Sequence, residues 1–347
     1  MKINIDSAIL KYGLSMVAKS VSSTDIIPIL KNVLLEAKEE GYVEVSSTDT
    51  FVSTTTILEA NFDTPGKMLL PFIELSTTMN RLEGPVSISD VSGKINIKSN
   101  DITMVFNEQP IEDYPVITQP DGIWSEQIED FGNTISKLLP IINKKHPQQW
   151  AHGVLFGKGY ITATDSIRMG VIEQNVDFEN IVIPAASLES LKKADVVKIL
   201  KNENMAFIQA SDTTVNVRLL DTNYPPVQTK YNELYKGGNF TSILFDRKEL
   251  LSTLTMCNAF NDYVKISLKD GFARFTTSNE KGEIEAKFPV DRDIDLDSRF
   301  NAKFVIDGLN GIEDERIMIG VSQPGKPMLI TGEDNNNFVY ILAPLNS

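Results

Sequence analysis

Apolar and polar residues alternate strictly through Lys94-Ile95-Asn96-Ile97-Lys98 and through Thr213-Thr214-Val215-Asn216-Val217-Arg218. A period of two predicts strands with one buried face. A helical pattern opens each third of the chain, over Ser7 to Ser20, Ile128 to Lys145 and Arg247 to Ala259. Within the second of these, Leu138, Leu139, Ile141 and Ile142 supply an apolar stripe that predicts one packed face. Short apolar runs that end in proline, Met68-Leu69-Leu70-Pro71 and Ile181-Val182-Ile183-Pro184, predict strands passing directly into short helices. Proline at a first helical position presets φ and sacrifices no hydrogen bond.

The patterns recur in phase. Thr48-Asp49 and Thr164-Asp165 each close an apolar stretch 116 positions apart, and Ser278-Asn279 takes the third place. The strand-to-helix prolines Pro71 and Pro184 are 113 apart, with Asn301 next in the series, where it reads as an N-cap. Asp113-Tyr114-Pro115-Val116 and Asn223-Tyr224-Pro225-Pro226, 110 apart, predict two strand ends, because proline cannot donate to a ladder. A threefold α+β repeat follows, with domains over 1–120, 121–238 and 239–347. Gly237-Gly238 marks the second joint.

Length agrees with two or three folding units, since 347 residues exceed one small core. Met1-Lys2-Ile3-Asn4-Ile5-Asp6 places an acid where a signal peptide needs apolar residues, and no run reaches the length of a membrane span. The single cysteine, Cys257, cannot form an intramolecular disulfide. These features predict a cytoplasmic protein with no membrane partner. A formal net charge of −14 speaks against a simple electrostatic nucleic-acid binder, which presents a basic surface to phosphate.

Two longer words carry a resemblance. Ala163-Thr164-Asp165-Ser166-Ile167-Arg168-Met169 and Arg218-Leu219-Leu220-Asp221-Thr222-Asn223-Tyr224-Pro225 resemble segments of the bacterial DNA polymerase III beta subunit, the beta sliding clamp family. Ile27-Pro28-Ile29-Leu30 and the Tyr340 to Leu345 tail are similar to two more. The resemblance runs through all three repeats in order, with departures at Ile167, Met169 and Asn346-Ser347 that fit a divergent, phage or mobile-element member. It implies α+β clamp domains, each with two short helices on antiparallel sheets, and a head-to-tail homodimer closed as a six-domain ring around double-stranded DNA. The implied role is that of a polymerase processivity factor with no enzymatic activity and no cofactor. Its implied partners are a replicative DNA polymerase, a clamp loader and other proteins carrying a clamp-binding motif. Topological hold would reconcile the acidic chain with DNA, since affinity need not come from a basic surface.

The resemblance also implies site residues. A hydrophobic pocket for a peptide of roughly Gln-Leu-x-Leu-Phe form would use Thr164, Ser166, Ile167, Arg168, Met169, Pro225, Asn301, Phe304, Ile341, Leu342, Ala343, Pro344 and Leu345. Apolar walls would bury the anchors while Arg168 and Asn301 fix the peptide backbone; the competing reading makes Met169, Phe304 and Leu342 ordinary core. The dimer contact would join Met104 and Phe106 to Leu254, Thr255 and Met256, against the alternative of a plain core face at Met104 and Phe106. The DNA-facing cations would be Lys11, Lys19, Arg81, Lys137, Lys144, Lys145, Lys192, Lys193, Arg247, Lys248 and Lys303, all on or beside predicted helices. Asp291 to Asp297 should face solvent away from DNA.

Chemistry for catalysis is thin. His146 and His152 stand apart from any metal-ligand spacing, and neither a GxxxxGK(S/T) nor a GxSxG word occurs. Asp49 and Asp165 belong to different repeats and read as turn residues, not as a carboxylate pair. Two alternatives remain: a clamp-like interaction protein that keeps the pocket without the ring, and an unrelated β-rich enzyme.

Overall fold

The computed structural model describes residues 1–174, 176, 179–291, 296–334 and 337–345. The first third contains β1 (Lys2–Asp6), α1 (Ser7–Val17), β2 (Asn32–Ala37), β3 (Val43–Thr48), β4 (Val52–Leu58), β5 (Asn61–Phe62), β6 (Gly66–Pro71), α2 (Phe72–Met79), β7 (Pro85–Val91), β8 (Lys94–Ser99) and β9 (Ile102–Asn107). The second contains α3 (Phe131–Leu138), β10 (Gly153–Gly157), β11 (Tyr160–Thr164), β12 (Arg168–Glu173), β13 (Ile181–Pro184), α4 (Ala185–Leu188), β14 (Lys198–Asn202), β15 (Met205–Ala210), β16 (Thr213–Arg218) and α5 (Val227–Tyr231). The third contains β17 (Thr241–Asp246), α6 (Arg247–Phe260), β18 (Tyr263–Lys269), β19 (Phe272–Asn279), β20 (Gly282–Pro289), β21 (Leu296–Asn301), α7 (Ala302–Asn310), β22 (Arg316–Val321), β23 (Met328–Gly332) and β24 (Phe338–Leu342).

Every strand pairing is antiparallel, and two sheets cross from one third of the sequence into the next. The order β14-β15-β16-β4-β3-β2-β6 joins the first and second thirds through β16 and β4, and β13-β10-β11-β12-β24-β23-β22-β17 joins the second and third through β12 and β24. The remaining sheets, β5-β1-β7-β8-β9 and β20-β19-β18-β21, each stay within one third. Contacts divide the chain into two units, Met1–Phe131 with Ala186–Leu219 and Gly132–Ala185 with Leu220–Ser347. In the first, Leu10, Leu14 and Val17 of α1 pack among Val45, Leu58, Ile88 and Ile95. In the second, Phe245, Phe275 and Phe288 meet edge to face with centroids 5.5 to 5.7 Å apart, the geometry that the ring quadrupoles favour.

The Thr-Asp words are turns built the same way twice. Asp49 Oδ1 accepts from the backbone N–H groups of Phe51 (2.9 Å) and Val52 (2.8 Å), and Asp165 Oδ1 from those of Ile167 (3.1 Å) and Arg168 (2.9 Å). The preceding threonines donate across the turn, Thr48 to the Val52 carbonyl and Thr164 to that of Arg168. Thr50 and Ser166 take positive φ, 77° and 74°, so the aspartate bonds hold a backbone that these side chains disfavour. Asn279 serves the third copy, accepting from Lys281 N–H at 2.8 Å.

The Tyr-Pro words differ from the strand ends predicted for them. Tyr114 and Tyr224 lie in irregular segments beyond β9 and β16. Both tyrosines pin the segment down, the buried Tyr114 donating to the Asn32 carbonyl (3.3 Å) and the half-buried Tyr224 to that of Thr162 (3.5 Å). Burial raises both phenol pKa values, and each hydroxyl also faces the backbone of a Thr-Asp threonine, Thr48 or Thr164.

Three expectations need adjusting. The second opening helix is shorter than 128–145: Ile128 bridges to Val197, α3 begins at Phe131, and a 3₁₀ turn over Leu139–Ile141 ends it. Pro140 has no N–H to continue the α-helical ladder. Pro71 stands one residue before α2, at its N-cap, and not inside it. Of the acidic stretch Asp291 to Asp297, residues 292–295 lie outside the described residues.

Asp49→Ala removes two acceptor bonds from a turn that keeps its positive φ, so it should lower stability by about 1–2 kcal/mol. Urea unfolding followed by circular dichroism measures this, and an unchanged midpoint would deny the turn its role.

Candidate functional site

The second Thr-Asp turn opens onto a pocket of about 250 Å³. Thr164, Ser166, Ile167, Arg168 and Met169 form one wall, Ile341 and Ala343 continue it from β24, and Pro225 closes an end. The β12–β24 pairing sets Met169 opposite Ile341, which places two apolar side chains side by side on one face. The opposite wall comes from Pro226, Val227, Lys230 and Leu234, with Trp150 and Pro327 at the margins. Val227, Lys230 and Leu234 lie on one helical face by their spacing, a stripe visible in the sequence but short enough to pass unnoticed.

That wall is anchored from behind. Tyr231 donates to Glu173 at 3.2 Å, and Lys236 pairs with the same carboxylate at 2.6 Å. The Lys236 hydrogen bond, ahead of its charge, holds the Glu173 carboxyl below its ordinary range. Beyond α5 the chain widens into one π-helical segment, Asn232–Lys236.

Arg168 contributes differently from the expectation that it fixes a peptide backbone. It is 7% exposed. Nε donates to Asp165 (3.0 Å), Nη1 to Asp307 (2.7 Å) and Nη2 to the Pro140 carbonyl (2.7 Å), with the Phe304 ring 3.8 Å from the guanidinium carbon. Burial opposes the charge, but Tyr340 and Asp165 outweigh it and raise the arginine's pKa. The Tyr340 phenol is raised too, mainly by burial, and donates to the Phe304 carbonyl at 2.9 Å. Arg168 thus ties the end of α3, the turn and α7 into one frame behind the pocket.

The other expected pocket residues are placed around it. Phe304 stacks beneath Arg168, and Asn301 is spent as the N-cap of α7, accepting from Phe304 N–H at 3.0 Å. Leu342 is fully buried opposite Arg168. Pro344 is half-buried, and Leu345 is 39% exposed with its N–H on the Arg299 carbonyl at 2.7 Å. Asn346 and Ser347 lie outside the described residues.

Met104 and Phe106 point to one half-buried face of β9 and pack at the margin of the core. Thr255 and Met256 are exposed on α6, whereas Leu254 has no exposed surface and cannot meet a second molecule. Its i−4 neighbour Leu250 is buried likewise, the helix stripe having turned both inward.

The eleven cations fall into two groups. Lys137 pairs with Glu313 (3.1 Å), Lys192 with Glu189 (2.7 Å) and Lys303 with Asp307; Lys11 and Arg247 donate to the carbonyls of Leu82 and Leu309. Lys19, Arg81, Lys144, Lys145, Lys193 and Lys248 are exposed. Among the described residues no cluster of three or more His, Cys, Asp or Glu could hold a metal ion, and no helix is long and apolar enough to cross a membrane.

An α+β protein whose antiparallel sheets are completed from one sequence third to the next, with an apolar pocket of peptide-anchor size, defines a class of sheet-joined binding scaffolds. The DNA polymerase III beta subunit N-terminal domain matches residues 1–118, and the C-terminal domain of the same subunit matches residues 239–346. The chain belongs to the DNA polymerase III beta subunit family. It is similar to the beta sliding clamp of Bacillus subtilis, 24% identical with all of both chains covered, and to the beta sliding clamp homolog GriR of Streptomyces muensis, 22% identical over 99% of each. In fold it is similar to the crystal structure of the Bacillus subtilis sliding clamp, with TM-score 0.90, 23% identity and coverage of 100% of this chain and 99% of that one. It is also similar in fold to a Pseudomonas aeruginosa clamp bound to griselimycin, with TM-score 0.89, 19% identity and all of both chains covered.

Asp307→Ala removes one of the two carboxylates paired with the buried Arg168 guanidinium, leaving Asp165 in place, and should destabilise by about 1.5–3 kcal/mol. Lys303→Ala removes only an exposed partner and should cost less than about 1 kcal/mol. Equal denaturation midpoints for the two variants would show that the guanidinium does not depend on Asp307.

Proposed function

We propose that the chain is a DNA sliding clamp, a non-enzymatic processivity factor that encircles duplex DNA and holds a polymerase to it. The observation that carries this reading is full-length membership of the beta subunit family together with an incomplete set of sheets. Two junctions between thirds are made inside the chain, and the β9 and β20 edges belong to the two sheets that have no such junction. Two copies arranged head to tail would let each β20 edge meet a β9 edge, which closes a ring and leaves neither strand unpaired. The proposed domains are 1–120, 121–238 and 239–347; the family matches that end at 118 and begin at 239 support these limits.

On this reading the chain works in the cytoplasm, and its net charge of −14 is compatible with DNA because the hold is topological. Exposed Lys19, Arg81, Lys144, Lys145, Lys193 and Lys248 are the cations best able to face phosphate, through weak contacts that exchange during sliding. The pocket beside Met169 would take apolar anchors of a short peptide from a polymerase, a clamp loader or another motif-bearing protein. Arg168, held by Asp165, Asp307 and the Pro140 carbonyl, shapes the wall.

Loaded onto a nicked circular plasmid, the protein should co-elute with DNA and be lost after linearisation; loss from both forms would favour the ring-less interaction protein. A fluorescein-labelled Gln-Leu-x-Leu-Phe peptide should bind saturably, and Met169→Ala should weaken it about tenfold, the equivalent of roughly 1.4 kcal/mol of lost burial. Polarisation titration reads this, and identical affinities would remove Met169 from the site. Truncation at residue 340 is a poorer probe, because β24 is an internal strand.

A further inference from the structure

The two junctions inside the chain use the same pairing, and their register can be carried to the third. Val52 of β4 faces Val217 of β16, and Arg168 of β12 faces Leu342 of β24. The equivalent of Val52 and Arg168 in the last third is fixed by the hairpins: Thr48 faces Ser53, Thr164 faces Met169, and Ser278 faces Glu283. Gly282 is therefore the third member. The equivalent of Val217 in the first third is fixed the same way, since β15–β16 and β8–β9 are both hairpins with two-residue turns, closed by Ala210 opposite Thr213 and by Ser99 opposite Ile102. Val217 then corresponds to Phe106.

We propose that two copies of this chain join with Phe106 of one opposite Gly282 of the other, in the register of the two internal junctions. This deepens the ring reading and rests on it. Met104 then faces Ile284, Ile102 faces Ala286, Val105 faces Glu283 and Thr103 faces Glu285. The face parity agrees on both edges: Met104 and Phe106 are the half-buried residues of β9, and Ile284, Ala286 and Phe288 are those of β20. A shift of one residue would put Glu283 and Glu285 on the apolar face.

Two further features fit this register. Gly282 has φ +155°, and a Cβ there would meet nothing nearer than Phe260 at 3.7 Å. An aromatic ring opposite fills the gap that a glycine leaves in a sheet. The internal junctions each end with one more bond, Arg218 N–H to the Phe51 carbonyl (3.2 Å) and Ala343 N–H to that of Ile167 (2.8 Å); Asn107 N–H and the Lys281 carbonyl take those places across the new junction. On the outer face, Lys98 lies opposite Thr103 within β8–β9, and the register puts Glu285 of the second copy on Thr103's other side. A lysine and a glutamate that flank one threonine are two strand spacings apart, about 9.6 Å, within the combined reach of their side chains. Charge complementarity across the join follows, which favours a second copy of the same sequence as partner.

The test is disulfide formation in the full chain. Val105→Cys with Glu283→Cys places the two Cα atoms about 5.5 Å apart across the junction, inside the bonding range. Val105→Cys with Glu285→Cys is offset by two residues and lies outside it. Native Cys257 is buried and takes no part. The first pair should yield a covalent dimer on a non-reducing gel under mild oxidation, and the second should yield at least tenfold less. Sedimentation of the unmodified chain separates the possible failures. A dimer that cross-links through Glu285, or through neither pair, overturns the register and leaves the ring standing, whereas a monomer throughout the micromolar range overturns both. Independently, Lys98→Glu should weaken dimerisation about fivefold, and adding Glu285→Lys should return it to within twofold. No recovery in the double variant would count against the register.

Discussion

The constraint on which the rest depends is the hydrogen-bonding demand of strand edges. Each third of the chain ends its sheets in strands whose N–H and C=O groups on one side have no partner within that third. Left open, such edges pair indiscriminately. Here the chain answers two of them itself, β4 with β16 and β12 with β24. The repeats are consequently not beads on a string, and the two contact units each draw on more than one third of the sequence. The residues placed at an edge are therefore answerable to two repeats at once, which constrains them more than a core position in one.

The turn that precedes each joining strand shows how that constraint reaches the sequence. Thr48-Asp49 and Thr164-Asp165 hold a positive φ in a residue that resists it, using an aspartate acceptor and a threonine donor. The tyrosines of the two Tyr-Pro words then set their hydroxyls against those threonines. Words that look separate in the sequence are thus one device: the turn presents the joining strand, and the tyrosine fastens the following linker against it. In the last third Asn279 keeps the turn.

Much of this was legible in the sequence, for reasons tied to particular residues. Period-two alternation marked β8, whose polar face is wet, and β16, whose polar face meets Thr118 of the linker beyond β9 through Asn216. The caps at Asp49, Asp165 and Asn301 were readable because short polar side chains that bond their own backbone occur at characteristic spacings. The extent of α3 was not, since Leu139 and Ile141 continue the apolar stripe through a 3₁₀ turn in which Pro140 had already ended the α-helix. Apolarity records burial and says little about which helix supplies it. At the site, Met169 and Ile341 could be proposed from the family words, but Trp150, Leu234 and Pro327 enter the pocket from segments far apart in sequence. The structural part played by Arg168 was illegible for a related reason: its partner Asp307 is 139 residues away, and only the fold shows Nε, Nη1 and Nη2 each donating within one frame.

The two internal junctions differ at one paired position, and the pocket lies beside that position of the second. Ile341 of β24 stands where β16 has Asn216, opposite Met169 and Ser53 respectively. Asn216 donates to the Thr118 carbonyl at 2.6 Å, so the linker beyond β9 is drawn across its own junction, and Ile117 packs onto Leu34, Leu69 and Tyr114. At the second junction the matching side chain, Ile341, has no donor to make that bond. Pro225 and Pro226 lack donors as well, and the chain there turns into α5, held on its far side by Glu173. The linker packs on the sheet through Tyr224, Val227 and Tyr231, while the space between Met169, Ile341, Val227 and Leu234 stays open. A polar residue at this position of a joining strand ties its linker down, and the apolar residue in its place contributes a wall of the pocket.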